Sequence, residues 1–443
     1  MPDMSIRPSV VHTAPETADA RAMRRRGATL TLLTTAYFFS YLDRQILAIL
    51  QELIRADLQL SDTQLGLLAG FAFALFYATL GIPVARLADR SNRVNIIAIA
   101  LAVWSVMTAV CGLAQNFVQL LLARIGVGIG EAGSSPPSHS IIADLYPPER
   151  RAGAMGIYSL GVVLGAAGGS IIGGELAALF GWRVAIMAVG LPGVLLAVIV
   201  KLFVVEPRRG LSDARQQTQT ERDAAAPTLT HGFRALIADR AAFHLVMGVT
   251  ITALIGYGQT AFGPSFLIRS LGLGLTDISR FVAPIGAVMG TTSALMGGWL
   301  ANIAAKRYGL HAQAWLVLVM KSVGLPLSFL FYLAGDATSA LIAYFASLLL
   351  TNSYLGPTFA LIQGLAPLRM RALWAAVTLL VINLIGLGLG PTMIGVISDL
   401  LRPTYGEESL RYAMLSLAAV TPWALFHYWR AGVLLRRREH AAP

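Results

Sequence analysis

The sequence predicts an all-α integral membrane protein, with twelve transmembrane helices arranged as two pseudo-symmetric six-helix bundles. Three observations predict it. Of the 443 residues, 56% are hydrophobic and 13% charged, and the mean hydropathy is +0.66, a composition outside the range of soluble folds. Apolar runs of roughly the 20 residues that a helix needs to cross a bilayer recur along almost the whole chain. The basic residues behind the formal charge of +11 sit in short connections between those runs and not on one face, so they report topology and not a nucleic-acid partner.

Taken in order, residues 1–27 are polar and place Arg24, Arg25 and Arg26 just before the first run. No small-residue cleavage site follows a short apolar core, so this segment reads as a cytoplasmic tail and not as a removed signal peptide. The spans follow as Ala28–Leu53, Leu65–Leu87, Val94–Ala114, Phe117–Ala143, Ala152–Gly174, Trp182–Val205, Ala241–Ile268, Asp277–Ala304, Gln313–Leu333, Ser339–Gly364, Leu373–Ile397 and Leu410–Trp429. The N-terminal bundle is thus 28–205, a polar cytoplasmic linker covers 206–240, the C-terminal bundle is 241–431, and a cytoplasmic tail covers 432–443. An even number of spans keeps both termini on one side.

Lys and Arg in the short connections fix that side. One set of connections, with the tails and the linker, holds Arg86, Arg90, Arg93, Arg150, Arg151, Lys306, Arg307, Arg369 and Arg371 among many others. The opposite set has Arg55, Arg183, Arg269, Arg280, Arg402 and Arg411 alone. Both termini are therefore expected in the cytoplasm, with a bacterial inner membrane as the location. The single cysteine, Cys111, lies in an apolar run, so there is no internal disulfide or cysteine cluster to consider.

The halves echo each other. Pro147-Pro148-Glu149-Arg150-Arg151-Ala152-Gly153-Ala154 joins the fourth and fifth spans, and Pro367-Leu368-Arg369-Met370-Arg371-Ala372-Leu373-Trp374-Ala375 joins the tenth and eleventh. A glycine-rich helix follows each, with Gly161, Gly165, Gly168 and Gly169 in one and Gly386, Gly388, Gly390 and Gly395 in the other. Two related bundles around a midplane site is the layout of rocking transporters, although a purely structural duplication would look the same.

Inside the apolar runs stand Asp43, Arg44, Arg124 and Glu131, and charge at that depth marks a functional site by default. Asp43 and Arg44 project about 100° apart, so each needs a partner on another helix. Arg124 and Glu131 lie two turns apart on one face of the fourth span. Counted from the outer ends, Arg124 matches the depth of Asp43, and Glu131 lies two turns deeper. Side chains lean toward their helix N-terminus, which carries Arg44 toward Glu131. The expected pairs are Asp43 with Arg124 and Arg44 with Glu131. A carboxylate beside a guanidinium stays ionised, and one that loses its partner in a desolvated site takes up a proton. Asp43 and Glu131 are therefore the expected proton-coupling groups, titrating as a coupled pair. The competing reading is a permanent lock of the bundle.

The connection Leu87-Ala88-Asp89-Arg90-Ser91-Asn92-Arg93 resembles the loop signature of the major facilitator superfamily, with Asn92 where that pattern has glycine and Val94 where it has a basic residue. The Asp-Arg-x-Asn-Arg form, Tyr41-Leu42-Asp43-Arg44, and Arg124-Ile125-Gly126-Val127-Gly128-Ile129-Gly130-Glu131-Ala132 with its Gly-Glu-Ala ending are similar to the Spinster branch. Gly181-Trp182-Arg183 and Glu206-Pro207-Arg208 are further landmarks of the superfamily. The resemblance implies rocker-switch alternating access. It also implies that Asp89, with Arg90, Arg93, Arg150 and Arg151 around it, closes the cytoplasmic side against a helix N-terminus of the other half. Gly161-x-x-x-Gly165-x-x-Gly168-Gly169 resembles the antiporter motif of the fifth helix, but Ala166 stands where Gly-Pro is usual. Gly126-x-Gly128-x-Gly130 is not a nucleotide loop, because no strand precedes it.

In the second half, Tyr257, Gln259, Thr260, Lys321, Asn352, Tyr354 and Asn383 are polar groups within spans, and Phe262, Phe266, Met289, Phe359 and Leu380 are apolar residues of the facing helices. With Tyr41 they are the candidate cavity lining; Lys321 equally suits a snorkelling or locally paired role. His139, beside Pro136-Pro137, reads as a polar feature at a helix irregularity. A cavity charged on one wall and apolar on the other suits an amphiphile whose anionic head meets Arg44 and Arg124. Spinster-like proteins are associated with sphingosine-1-phosphate and lysophospholipids, so the resemblance points to the same substrate class; with the proton-coupling groups above, the expectation is a proton-coupled lipid transporter, and a monomer is expected as its functional unit. A proton-driven exporter of drugs or a carrier of small organic anions would use the same cluster, and a passive scramblase would ignore a pH gradient. No His-Glu-x-x-His or Gly-x-Ser-x-Gly supports an enzyme, and no cofactor or metal is expected.

Overall fold

The computed structural model describes residues 17–212, 228–367 and 370–441, and among them the ordered structure is helical, with no strand. In hydrocarbon every backbone N–H and C=O must be satisfied within its own segment, which selects helices. The first transmembrane helix, α1 (Arg26–Leu58), ends where Gln59 turns left-handed at φ 53°. Ser61 and Gln64 then form a capping box that starts α2: the Ser61 hydroxyl accepts from the Gln64 N–H, and the Gln64 side chain accepts from the Ser61 N–H. α2 runs as Asp62–Gly66, a π-helical turn Leu67–Phe71, and Ala72–Arg90. α3 is Arg93–Cys111, capped by Asn92.

The fourth span departs from the continuous helix expected. α4 consists of Phe117–Glu131 and Ser135–Leu145, interrupted just after Glu131. Pro136-Pro137 explain the restart, since proline is tolerated in the first turn of a helix and not within it. α5 (148–180) and α6 (182–203) form one helical run, Pro148–Phe203, broken at a single residue. That residue is Gly181, at φ 80° and ψ 164°, a conformation open essentially to glycine alone.

The second half repeats the pattern. α7 is Arg240–Leu271. α8 begins at Leu275–Asp277, passes a π-helical turn Ile278–Val282 and continues as Ala283–Tyr308, so α2 and α8 carry the same irregularity in their first turns. α9 is His311–Leu333. α10 is Ala337–Thr351 and Leu355–Leu365 about a 3₁₀ turn, Asn352–Tyr354. α11 is Arg371–Val381, a π-helical turn Ile382–Leu387, and Gly388–Tyr405; α12 is Ser409–Ala418 and Thr421–Ala441. Among the described residues, eight helical stretches are long and apolar enough to cross a bilayer, and two of them, of 56 and 68 residues, have length for two crossings each. The chain is a multi-pass membrane protein.

Glycine sets the distance between α1 and α5. A Cβ on Gly169 would lie 2.6 Å from the Leu42 carbonyl oxygen, and one on Gly161 would lie 2.8 Å from that of Thr34. Small residues let helix backbones approach where lipid offers no hydrophobic drive for association. Gly169→Val is expected to force α5 off the Leu42 backbone and the Gln45 side chain and to cost about 1–3 kcal/mol, read as a lower melting temperature of the solubilised protein. An unchanged melting temperature would show that the contact is dispensable.

The interactions that tie one half to the other cluster at the far end, opposite the termini. There α2 meets α11, where a Cβ on Gly66 would lie 2.5 Å from the Pro391 carbonyl oxygen. In the symmetry-related place α8 meets α5, where a Cβ on Gly174 would lie 2.7 Å from Ser279.

Candidate functional site

Ser40 and Arg44 are one turn apart on α1 and share the face that meets α4. Arg44 Nε donates to Glu131 Oε2 at 2.8 Å, Arg44 Nη2 approaches the same oxygen at 2.5 Å, and Ser40 Oγ donates to it at 2.9 Å. The other carboxylate oxygen, Glu131 Oε1, is buried without a hydrogen-bond partner among the described residues. The Glu131 side chain is 1% exposed and that of Arg44 17%, so the guanidinium is the side of the pair that reaches open space. Three rings surround it, with centroids at 5.0 Å (Tyr41), 4.7 Å (Phe73) and 4.8 Å (Tyr77), a cation–π cage that holds the cation even while its anion changes. Tyr37 extends this wall, at 5.2 Å from Tyr41 and stacked on Tyr158 at 4.4 Å.

Two turns away along α4, Arg124 Nη1 faces Asp43 Oδ2 at 3.5 Å, with both side chains buried. Among the described residues Arg124 Nε has no hydrogen-bond partner, and its guanidinium lies 5.5 Å from the Phe73 ring. The two pairs are therefore unequal. Glu131 gathers three donors onto one oxygen, whereas Asp43 meets its guanidinium through one contact at the edge of hydrogen-bond range, with the Thr108 hydroxyl as a further partner. A buried ion pair gains from attraction only what good geometry returns against desolvation, so the Asp43–Arg124 contact is the more easily broken.

A second charged assembly lies at the far end and joins the halves. Arg269, in the last turn of α7, donates to both Asp62 oxygens at 2.8 Å and to Glu52 Oε1 at 2.6 Å. Asp62 Oδ2 also accepts from Ser398 Oγ at 2.7 Å. Asp399 of α11 accepts from the N–H groups of Asp62 at 3.1 Å and Thr63 at 2.8 Å, capping α2 from the opposite half. The equivalent crossing on the other side is Glu175 of α5, which accepts from Arg280 Nε and Nη2 at 2.7 Å each and from Ser279 Oγ at 3.0 Å. Sequence reasoning missed this lock because Arg269 and Arg280 sit at span ends and were counted as topology residues. The available signal was the Ser61-Asp62-x-Gln64 capping box, which places Asp62 in a first turn.

The remaining candidates scatter. Tyr354 packs with Tyr257 against Val249, Ala253 and Ile382, and Lys321 Nζ lies 4.7 Å from the centre of the Tyr354 ring. Gln259 is half-buried, Thr260 is exposed, and Asn383 lies in the π-helical turn of α11. Phe262 and Phe266 need correction: both are wholly buried, and Phe266 packs edge-on against Phe331 and Tyr332 of α9. Helix neighbours cover that part of α7, so these rings fill the core and not an apolar cavity wall. His139 meets the edge of the Tyr158 ring at 5.2 Å, just past the α4 interruption.

At the termini end, Arg93 is 1% exposed and ties the N-terminal bundle to the start of the linker: Nε to Glu206 Oε1 at 2.6 Å, Nη1 to Ser140 Oγ at 2.7 Å and to Asp144 Oδ2 at 2.5 Å, and Nη2 to the Pro207 carbonyl at 2.8 Å. Arg151 Nη2 donates to the Ala143 carbonyl at 2.7 Å, and Arg90 and Arg150 are exposed. The side chain of Asp89 lies outside the described residues.

Residues 33–391 match the family model described as Major Facilitator Superfamily. An MFS-type efflux pump of Mycolicibacterium smegmatis is 33% identical over 421 residues, covering 95% of this chain and 96% of that protein. Protein spinster homolog 1 of Xenopus laevis is 28% identical over 86% of this chain and 76% of its own. Among solved structures, a bacterial homolog to the human lysosomal transporter Spinster, in an inward-facing and unoccupied conformation, superposes with a TM-score of 0.83 at 31% identity, covering 93% of this chain and 98% of that one.

Proposed function

This chain belongs to the major facilitator superfamily, in its Spinster-related branch, and from that premise we propose that it is a proton-coupled transporter of anionic amphiphiles such as lysophospholipids or sphingosine-1-phosphate-like molecules. The observation that carries this reading is the asymmetry at Glu131, one oxygen holding three donors and the other buried and bare. A proton has a place to bind on Oε1 while Arg44 rests in its aromatic cage. Arg44 released from Glu131 is a cation free to meet an anionic head. Asp43, held to Arg124 by one long contact, is the second exchange point.

The halves, 28–205 and 241–431, rock about the cluster as two bodies. With both termini in the cytoplasm of a bacterial inner membrane, the far-end lock is the closed outer gate of an inward-facing state. Asp89, Arg90, Arg93, Arg150 and Arg151 close the cytoplasmic side in the opposite state, with Arg93 bracing the loop through Asp144 and Glu206. The functional unit is one chain, whose partners are the lipid substrate, protons and the bilayer.

The name of the mycobacterial relative, an efflux pump, favours a second reading, proton-driven export of hydrophobic drugs. Purified protein in liposomes separates the two. A fluorescent lysolipid is expected to move several-fold faster under an imposed pH gradient, and Asp43→Asn is expected to fold yet lose that gradient-driven component. Movement of cationic dyes with no lysolipid flux would favour the drug exporter. Lysolipid flux indifferent to the gradient in both proteins would make transport passive and the cluster structural.

A further inference from the structure

In the C-terminal half, Lys321 is a cation deep within a span that neither the proton cluster nor the far-end lock uses. Lys321 stands midway along α9, ten residues from its start and twelve from its end, about 15 Å from the helix N-terminus at 1.5 Å per residue. It is 7% exposed, and among the described residues it makes no hydrogen bond or ion pair; its one polar contact is the face of Tyr354. The sequence offers it no acid. In residues 241–431 the carboxylates are Asp277, Asp336, Asp399, Glu407 and Glu408, each at a span end on the far side.

A lysine at that depth without an anion is costly, and a methionine of similar volume would fill the space at no such cost. Its surroundings supply an independent second feature. Beside it α10 is interrupted by the 3₁₀ turn Asn352–Tyr354, and the Asn352 side chain makes no hydrogen bond among the described residues. Interrupted helices at the midplane are where transporters of this general architecture expose backbone and side-chain polar groups to cargo.

We propose that Lys321, with the Asn352–Tyr354 turn, is a recognition point in the C-terminal half for a headgroup of net negative charge, a phosphate monoester or carboxylate, and selects it over a zwitterionic head. The inference rests on the amphiphile-transport reading above and names the charge class of its substrate. The ammonium is a point charge with three donors, so it rewards an anion wherever the head settles near the turn, and arginine is expected to replace it in part. A phosphocholine head, whose own ammonium cancels its phosphate, gains little from it.

The test compares oleoyl lysophosphatidate with oleoyl lysophosphatidylcholine, titrated by intrinsic fluorescence onto wild-type protein, Lys321→Met and Lys321→Arg. Lys321→Met is expected to weaken lysophosphatidate binding about tenfold, the worth of one charge-assisted hydrogen bond, and to change lysophosphatidylcholine binding less than about twofold. Lys321→Arg is expected to recover part of the loss, and Lys321→Met to melt at or above the wild-type temperature. Equal weakening toward both lipids, or no weakening toward either, overturns the Lys321 assignment while leaving amphiphile transport in place. A lower melting temperature for Lys321→Met without headgroup selectivity makes the lysine structural. Failure of the wild type to bind either lipid overturns the amphiphile reading and this inference with it.

Discussion

Glu131→Gln is expected to abolish flux driven by a proton gradient while the protein remains folded. Glutamine keeps the shape of the side chain and an oxygen for Ser40 and Arg44, but it carries no exchangeable charge at the place where three donors converge. Breaking a deeply buried pair by neutralising one partner costs about 3–5 kcal/mol. The figure here is discounted to about 1–2 kcal/mol, because Arg44 is 17% exposed, so its charge is partly screened by solvent, and the guanidinium keeps its cage of Tyr41, Phe73 and Tyr77. The measurement is lysolipid flux in liposomes with and without the gradient, set beside a melting curve. The double variant Arg44→Gln/Glu131→Gln removes both charges and is expected to regain stability without regaining coupling. If the single variant fails to fold and the double variant restores both stability and gradient-driven flux, the pair is a structural lock and the proton travels elsewhere.

Arg269→Ala is expected to release the far end. It removes the cation that the C-terminal half supplies to two carboxylates of the N-terminal half, leaving Asp62, which is 1% exposed, without its guanidinium and Glu52 with Arg55 alone. Losing about 3 kcal/mol of closure changes the ratio of closed to open forms by roughly 100-fold. Spin labels at Gln59 and Arg402, on opposite halves of the far end, are expected to report a new population at longer distance, with Arg269→Lys intermediate because an ammonium cannot reproduce the two-pronged contact. A distance distribution identical to wild type would show that apolar packing, and not this triad, closes the far end. Net transport is expected to fall with the shift, since alternating access needs both end states.

The cluster on α1 and α4 was open to sequence reasoning because a helix is a ruler. Asp43, Arg44, Arg124 and Glu131 stand at fixed depths along two antiparallel helices, so a rise of 1.5 Å per residue brings Arg44 near Glu131 and Arg124 near Asp43 before any packing is known. Their inequality was not open to it. That Ser40 joins Arg44 on one oxygen of Glu131, and that Asp43 holds Arg124 by a single contact at 3.5 Å, depends on rotamers and on the tilt that Gly161 and Gly169 permit between α1 and α5. Phe262 and Phe266 fell to the same limit. Sequence gives their helix and their apolar character, and only the neighbours of α7 decide whether such a face meets a cavity or the core.

The sequence by itself determined the family, the membrane-spanning helical class and the depth of each intramembrane charge, because hydrophobic length and helical rise are local properties. Tertiary structure alone decided the contacts between the halves: Arg269 with Glu52 and Asp62, Asp399 capping α2, Glu175 with Arg280, and the isolation of Lys321 beside the broken turn of α10. Those partners lie hundreds of residues apart or on helices with no common register, and their meeting depends on how two rigid bundles dock, which no local periodicity encodes.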